Sequence, residues 1–364
     1  MKTSLNSLRT PRPQTVRLSL LALALGGTIA AFAPAGPINP PAGPVTSTYK
    51  TLTEVEPRTA INATNTPGDA DSLFKITQPG SYYLTGNITG VAGRHGIEIA
   101  ASGVTLDLMG FDLSGVPGMG AFDGVSATFG SSFTNITIRN GSVRGWGDEG
   151  IDLATMSNSA VTDVRASGNT GNGISTGVGS TVAGCTASNN AGGGIFANSG
   201  STVTGCSASF NSVGIATGFF STVKGCTASS NTGDGILANE GSTVTGCTAS
   251  SNFGDGIQVS SDCRVTDNTC DSNGNGAGDG AGIFATSSDN RIEGNNCTDA
   301  DRGIDVDVAG NFIIKNTCSG NTNNWDVVTG NVILVVNAIV AGAVTGNSGG
   351  VAPGSTDPNA NFTY

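Results

Sequence analysis

The stretch GSTVTGCTASSNFGDGI, residues 241–257, repeats almost letter for letter the stretch GSTVAGCTASNNAGGGI at residues 179–195. In each unit, the residue after Gly in a G-I or G-V step serves as an anchor that marks the period. Successive anchors lie 20 to 28 residues apart, most often 21, and another 21 residues lead from the last one to Trp325. The anchors are Ile97, Val125, Ile151, Ile174, Ile195, Ile215, Ile236, Ile257, Ile283 and Ile304.

A second apolar column follows the anchors by eight or nine residues, as at Val182, Val203 and Ile313. A unit of about 21 residues with short β-branched runs and Gly corners is too short for a strand–helix solenoid and predicts a coil of short strands. Stacked coils form parallel sheets with right-handed connections. We therefore predict an all-β fold, a right-handed parallel β-helix solenoid of about 10–11 coils over residues 81–345.

The ends of the chain differ in composition from this repeat. Residues 1–35 carry four basic residues, an apolar run and small residues near Ala35, which indicates a signal peptide. Residues 36–47 are rich in Pro and Gly and predict a linker. Residues 48–80 are interpreted as an N-terminal cap and residues 346–364 as a C-terminal tail. The protein is therefore expected to be secreted, whether extracellular, on the cell surface or periplasmic.

The charge balance restricts the partners. The net charge is −11, and removing residues 1–35 leaves 12 basic against 27 acidic residues, a net −15. Nucleic acid and anionic lipid repel a chain with this much negative charge. Neither is therefore an expected partner. The run ILVVNAIVAGAV, residues 333–344, is interrupted by Asn337 and is too short for a membrane helix, so we predict no membrane insertion and interpret it as buried strand. The sequence leaves the oligomeric state open.

Cys and Asn form further columns in the repeat. The eight Cys of an exported chain suggest disulfides, but stacked neighbours have parallel Cβ vectors about 4.8 Å apart, too far for a typical bridge. We therefore predict unpaired buried thiols and no thiol metal site. The Asn column is predicted to adopt the left-handed backbone of a tight corner and to stack amides from coil to coil. Its members are Asn169, Asn190, Asn211, Asn231, Asn252, Asn273 and Asn321.

Ionisable residues concentrate in the N-terminal coils. The column two residues before the anchors contains His95, Asp123 and Glu149, and Asp152 follows the anchor Ile151. If the register holds, these groups lie about 5 Å apart in successive coils. Neighbouring carboxylates raise one another's pKa, which provides a general acid beside a charged base. We therefore treat His95, Asp123, Asp148, Glu149 and Asp152 as candidate catalytic residues, with ligand or Ca²⁺ binding and plain turn chemistry as alternatives.

Three further residues are candidates for ligand binding. Trp146, next to this acidic stretch, could stack on a sugar, whereas Trp325 takes an anchor position and is expected in the core. A lyase acting on uronic acids needs a cation against the substrate carboxylate, a role open to Arg139 or Arg144. No metal is assigned and no cofactor is expected. Ca²⁺ is a weak alternative, because NGNGAGDGAGI at residues 273–283 faintly resembles a calcium-binding Gly-rich repeat.

Several phrases resemble the right-handed parallel β-helix repeat proteins of the pectate-lyase-like superfamily. They are KITQPGSYYLTGNI, VTLDLMGFDLSG, ITIRNGSVRGW and GIDV, and the resemblance covers roughly residues 75–330. This superfamily contains pectate lyases, polygalacturonases, epimerases, tailspikes and adhesins. GDEGID at residues 147–152 resembles the paired-Asp motif of polygalacturonases, which implies acid and base roles for Asp148 and Glu149. The Asn-Thr-Asp triplet of those enzymes is absent, and His95 precedes the acidic pair instead of following it.

Two hypotheses about function follow. The first is a secreted or cell-surface β-helix that binds an extracellular polysaccharide. In an extended form of this hypothesis, the protein also cleaves the polysaccharide as a lyase or glycoside hydrolase. The second is a non-catalytic structural or adhesive rod.

Overall fold

A computed structural model describes residues 57–128, 130–275, 279–337 and 357–363. These residues belong to one compact unit, Thr51–Tyr364. They form short strands and turns without a helix, and the strand pairs are parallel. The prediction of an all-β parallel β-helix is confirmed. Within the described residues, no helix is long and apolar enough to cross a membrane.

One sheet of 12 strands contains the anchors and is called the anchor sheet. Neighbouring anchors are in register, for example Ile195 with Ile215 and Ile215 with Ile236. Phe74 pairs with Ile97 and adds a coil before the first anchor in the sequence. The strands are Ser72–Ile76, His95–Ile99, Val125–Ala127, Ile151–Leu153, Ile174–Thr176, Ile195–Ala197, Ile215–Thr217, Ile236–Ala238, Ile257–Val259, Ala281–Ala285, Arg302–Val306 and Asn323–Val327.

The other sheet has 24 strands and is called the flanking sheet. It consists of two parallel rows that meet at the long strands Thr137–Arg144 and Ala160–Ser167. Its strands are Thr59–Ala60, Gly80–Tyr83, Ile88–Thr89, Val104–Asp107, Asp112–Ser114, Thr137–Arg144, Ala160–Ser167, Thr181–Ala183, Thr186–Ser188, Thr202–Thr204, Ser207–Ser209, Thr222–Lys224, Thr227–Ser229, Thr243–Thr245, Thr248–Ser250, Arg264–Thr266, Thr269–Asp271, Arg291–Glu293, Asn296–Thr298, Phe312–Ile314, Thr317–Ser319, Val332–Ile333, Val335–Asn337 and Asn361–Thr363.

The core lies between these sheets and follows the two apolar columns of the repeat. Alternation along a strand sends one side chain inward and the next outward. Val203 is fully buried, whereas its neighbour Thr204 is partly exposed. Trp325 takes its place in the anchor column and is buried, as predicted.

Buried Asn side chains connect the coils. The amide N–H and the Nδ2 group of Asn211 both donate to Asn231 Oδ1, and Asn231 donates in the same way to Asn252. This confirms the predicted stacking of amides. The predicted left-handed backbone is wrong for the Asn residues themselves, because the positive φ belongs to the preceding residue, such as Ser230 (φ 56°) and Ser251 (φ 57°). The corner therefore turns one residue earlier and places the Asn inside.

All eight Cys are buried and unpaired, as predicted. Within the coils, Cys206 and Cys226 donate their thiols to the backbone oxygens of Val182 and Val203. The thiols thus take the place of small apolar side chains with local hydrogen-bond partners.

The sheets extend beyond both ends predicted for the solenoid. Ser72–Ile76 already belongs to the anchor sheet, ahead of the boundary set at residue 81. Asn361–Thr363, assigned to the tail, pairs with Thr317–Ser319 of the flanking sheet. The predicted signal peptide and linker lie outside the described residues, as do the first part of the cap and residues 338–356.

Candidate functional site

The candidate site lies on the N-terminal coils of the anchor sheet. Carboxylate oxygens of Asp123, Asp148 and Glu149 lie within 4.8 Å of one another, and these three residues are called the acidic cluster. Asp123 and Glu149 occupy the same position of successive coils, because the anchors Val125 and Ile151 pair in register. The register therefore brings the carboxylates together, as the sequence predicted.

The column that contains Asp123 and Glu149 has a structural role in five coils. Its polar side chains accept the backbone N–H of the same position in the next coil. Asp123 Oδ1 accepts the N–H of Glu149 (2.9 Å), Asp234 Oδ1 that of Asp255 (2.9 Å), and Asp255 Oδ1 that of Ala281 (2.7 Å). His95 and Asn172 accept in the same way. A polar residue at this position therefore satisfies an amide at the corner.

Glu149 departs from this pattern. No backbone N–H donates to its side chain within the described residues, and its carboxyl accepts instead from Asn172 Nδ2 at 3.3 Å. Burial, a hydrogen bond with Asp148 and the charges of Asp148, Asp123 and Asp152 raise the pKa of Glu149 to about 8. At neutral pH the Glu149 carboxyl therefore holds a proton beside other carboxylates, as a general acid requires.

His95 borders the cluster on the side of the preceding coil. Its Nδ1 accepts the N–H of Asp123 at 2.9 Å and lies 3.3 Å from Asp123 Oδ2. The first contact needs an unprotonated Nδ1 and the second a protonated one. The shorter amide contact describes a ring whose Nδ1 carries no proton. Burial lowers the pKa of His95, but Asp123, Asp71 and Glu98 outweigh burial and raise it overall.

Asp152 faces the cluster from the strand Ile151–Leu153. Burial raises the pKa of Asp152, the hydrogen bond from the Ala154 N–H (2.9 Å) lowers it, and the charges of Asp123 and Asp148 raise it further. The net shift is upward. Asp152 thus adds negative charge near Glu149 and helps to keep the Glu149 proton in place.

A second acidic group lies one coil earlier, at Asp69, Asp71 and Glu98. The ammonium group of Lys75 lies 2.7 Å from Asp69 Oδ2 and 2.8 Å from Glu98 Oε2. Glu98 Oε2 is buried, and the Lys75 ammonium group compensates its charge. Lys75 therefore pairs with two of the three carboxylates of this second group, those of Asp69 and Glu98.

The expectation that Arg139 and Arg144 bind ligand beside the cluster is wrong. Both lie on Thr137–Arg144 of the flanking sheet, not on the anchor sheet. Arg139 Nη2 lies 3.1 Å from Asp107 Oδ2, and Arg144 Nη2 lies 2.6 Å from Asp112 Oδ2. Each guanidinium therefore forms an ion pair with a carboxylate of the preceding coil, on the flanking sheet.

The expectation that Trp146 stacks on a sugar is also wrong. Its side chain is only 1% exposed, and its Nε1 donates to the Leu113 carbonyl at 3.1 Å. A Cβ built on Gly96 or on Gly124 would come within 2.9 Å of the indole. Trp146 therefore fills a space left by glycines and belongs to the core.

Comparisons with known proteins agree with this architecture. A family model described as right handed beta helix region matches residues 217–362. A second model, described as periplasmic copper-binding protein (NosD), matches residues 131–280. Together with the two observed sheets, the first match identifies the fold as a parallel β-helix. No sequence among the curated proteins matches this chain.

Several solved structures are similar to this chain at low sequence identity. The A-module of mannuronan C-5 epimerase AlgE4 from Azotobacter vinelandii has a TM-score of 0.52 and 17% identity, over 70% of this chain and 91% of that chain. A mutant tailspike protein of E. coli bacteriophage HK620, in complex with a pentasaccharide, has a TM-score of 0.46 and 15% identity, over 76% and 69%. PfbA, a surface adhesin of Streptococcus pneumoniae, has a TM-score of 0.34 and 10% identity, over 68% and 82%.

The β-helix also holds site residues that the sequence reasoning missed. Phe122 contacts His95 edge to face, with ring centroids 4.9 Å apart. Asn172, visible in the column, orients Glu149 and also donates to Ser175 Oγ at 3.1 Å. Asn172 could have been found from the sequence, because it shares the column of Asp123 and Glu149. Phe122 could not, because it lies in an irregular corner outside the repeat.

Acids in the later coils also lie close to other charged residues. Burial, with a smaller contribution from the charges of Asp234 and Asp305, raises the pKa of Asp255 to about 7 against the hydrogen bond from Ala281. Arg302 lies nearby and pairs with Asp305 at 2.6 Å and with Asp279 at 2.6 Å. An elevated pKa is therefore shared by both ends of the anchor sheet and does not by itself mark a functional site.

Proposed function

We propose that this chain binds an extracellular polysaccharide at the acidic cluster and cleaves its glycosidic linkage by acid–base chemistry. The observation that carries the proposal is Glu149, a half-buried, protonated carboxyl in a column whose other acids each accept a backbone N–H. The fold is also that of the A-module of a mannuronan-modifying epimerase, which supports a polysaccharide ligand.

The roles within the cluster follow from its hydrogen bonds. Glu149 is the general acid that protonates the leaving oxygen, because its carboxyl retains a proton at neutral pH. Asp148, whose hydrogen bond and charge raise the pKa of Glu149, keeps the proton on the Glu149 carboxyl. Asp123 is held by the Glu149 N–H and by His95, so it positions the corner instead of meeting the substrate. Hydrolysis is favoured over elimination because Arg139 and Arg144 lie on another face.

The copper suggested by the NosD family model does not fit these residues. Copper favours imidazole, thiolate or thioether ligands. The one His of the sequence has its Nδ1 against Asp123, and the eight Cys are at most 2% exposed. The carboxylate oxygens of the acidic cluster are instead ligands for a hard cation such as Ca²⁺.

The alternative function is a structural or adhesive rod. One observation favours it: Asp123, Asp234 and Asp255 each bind the amide of the next coil, so acids in this column stabilise the fold without any ligand.

The test compares two charge-removing variants in the same column. Purified parent, Glu149→Gln and Asp255→Asn are incubated with dextran, xylan, polygalacturonate and mannuronan, with EDTA or with Ca²⁺, and new reducing ends are measured. We expect Glu149→Gln to lose about 10²- to 10⁴-fold of the parent's turnover. Asp255→Asn should retain it, because Asn keeps the oxygen that accepts the Ala281 N–H.

Three outcomes would count against parts of this proposal. Products with an unsaturated sugar end would show that the reaction is elimination and not hydrolysis. Equal loss in both variants would show that the column acts through stability. A parent protein that neither binds nor cleaves any of the four polymers would favour the rod.

A further inference from the structure

Two adjoining clefts run along the corner where each coil enters the anchor sheet. The first, of about 380 Å³, includes Gly120, Gly147, Gly168 and Thr170 in its lining. The second, of about 470 Å³, shares Gly168 and Thr170 and continues to Phe210 and Thr232. Because the clefts share residues, they form one groove, here called the corner groove. It begins at Gly147, next to Asp148 of the acidic cluster.

The lining of the corner groove contains no charged side chain within the described residues. Asn189, Thr170, Ser212 and Thr232 present amide or hydroxyl groups, and Ala191 lies between Thr170 and Ser212 in the same lining. Uncharged hydrogen-bonding groups beside one aromatic ring suit a ligand with hydroxyl groups and apolar C–H faces. The groove volume also lies in the range of small-ligand sites, about 300–1,000 Å³.

Phe210 is the aromatic residue that projects at this groove. It is 60% exposed and adopts φ 58°. The same corner position is Asn189 (φ 56°), Ser230 (φ 56°) and Ser251 (φ 57°) in neighbouring coils. A left-handed backbone disfavours residues with a bulky Cβ substituent, and an exposed ring contributes little burial to folding. The fold therefore gives no reason for Phe at this position.

We propose that the corner groove is an extended subsite for an uncharged polysaccharide, with the Phe210 ring stacking on a sugar face. The proposal rests on the proposed function and adds the class of ligand. Phe210 lies three coils beyond Gly147, about 14 Å along the stack, so one oligosaccharide can reach from the acidic cluster to the ring.

The charge distribution selects an uncharged ligand. The chain carries a net charge of −11, and the acidic cluster lies at the head of the groove. A polyanion or an anionic membrane would be repelled along this path. A second copy of the chain would bring the same charges against each other.

The experiment uses Phe210→Ser, which restores the residue of neighbouring coils, and Phe220→Gly as its matched control. Phe220 is 68% exposed at φ 56°, but it lies at the opposite corner, where Gly200 and Gly241 adopt φ 68° and φ 69°. Both changes relieve a left-handed Phe, so both variants should melt at or above the parent's temperature. Affinity electrophoresis in dextran and xylan gels, with polygalacturonate and mannuronan gels beside them, measures binding.

We expect Phe210→Ser to lose about tenfold or more of the affinity for the neutral polymer that the parent binds, and Phe220→Gly to bind as the parent does. Equal binding by Phe210→Ser and parent would overturn the groove while leaving the proposed function intact. Binding of the acidic polymers alone would overturn the uncharged class. Binding of none of the polymers would overturn both proposals. A parent dimer in sedimentation velocity that Phe210→Ser dissociates would make the groove a contact between copies and also overturn it.

Discussion

Glu149 and Asp255 occupy the same column of the repeat, one in the N-terminal coils and one in the later coils, yet their side chains have different partners. Asp255 Oδ1 accepts the backbone N–H of Ala281, whereas the described hydrogen-bond partners of the Glu149 carboxyl are the side chains of Asn172 and Asp148. Both pKa values are raised, to about 7 and about 8. The difference in hydrogen-bond partner, and not the pKa, therefore separates a structural acid from a candidate catalytic one.

The same lesson applies to the aromatic residues. Where the repeat is kept, as at Ser230 and Ser251, the residue suits its corner. Where it is broken, as at Phe210, the residue conflicts with its backbone and remains exposed. In a repeat protein, neighbouring coils act as internal controls, and a departure from them that projects at a groove, as Phe210 does, marks a candidate for ligand binding.

The largest expected effect tests whether the repeated coils serve the fold. Val203→Asp should lower the free energy of unfolding by several kcal/mol, because it buries an unpaired charge in a fully buried position. Thr204→Asp should change it little, since that side chain points outward. Thermal melting of both variants is the measurement. Similar melting temperatures would mean that the assigned register of the strand Thr202–Thr204 is incorrect.

The next effect concerns the Asn ladder. Asn231→Ala leaves the Asn211 N–H and the Ala208 carbonyl without their partner, so we expect a loss of about 1–3 kcal/mol per unsatisfied group. Denaturant unfolding measures this loss. Polysaccharide binding at temperatures well below the melting point should be unchanged because Asn231 is fully buried. Loss of polysaccharide binding in a folded Asn231→Ala variant would contradict the assignment of the Asn column to the fold alone.

The smallest effect is the pH dependence of stability. A carboxyl whose folded pKa is raised binds more protons folded than unfolded, so stability falls as pH rises between the two values. For Glu149 this window runs from 4.5 to about 8, and for Asp255 from 3.8 to about 7. Glu149→Gln and Asp255→Asn should therefore both gain melting temperature relative to the parent as pH rises through these windows.

This last comparison sharpens the first one. The two variants should resemble each other in stability and differ only in polysaccharide turnover. A pH-independent difference in melting temperature between Glu149→Gln and the parent would contradict the raised pKa of Glu149.

The sequence by itself determined the coil, its period and the inward columns. Each position recurs about every 21 residues, so one reading of the register places Val203, the Cys and the anchors together. The coil at Phe74 was missed because its strand Ser72–Ile76 lacks the G-I step. The acidic cluster was found for the same reason as the core, since residues in register are neighbours.

For residues outside the regular repeat, only the tertiary structure decided on which face of the coil each side chain lies. Trp146, Arg139 and Arg144 are close to Glu149 in the chain, but Trp146 turns into the core and both arginines pair on the flanking sheet. The N-terminal coils and the coil before Ala281 carry insertions, so corners and faces there cannot be assigned by counting. Contacts between Asp255, Asp305 and Arg302 likewise depend on stacking across an insertion, because a hydrogen bond or charge pair is set by distance in space and not by separation along the chain.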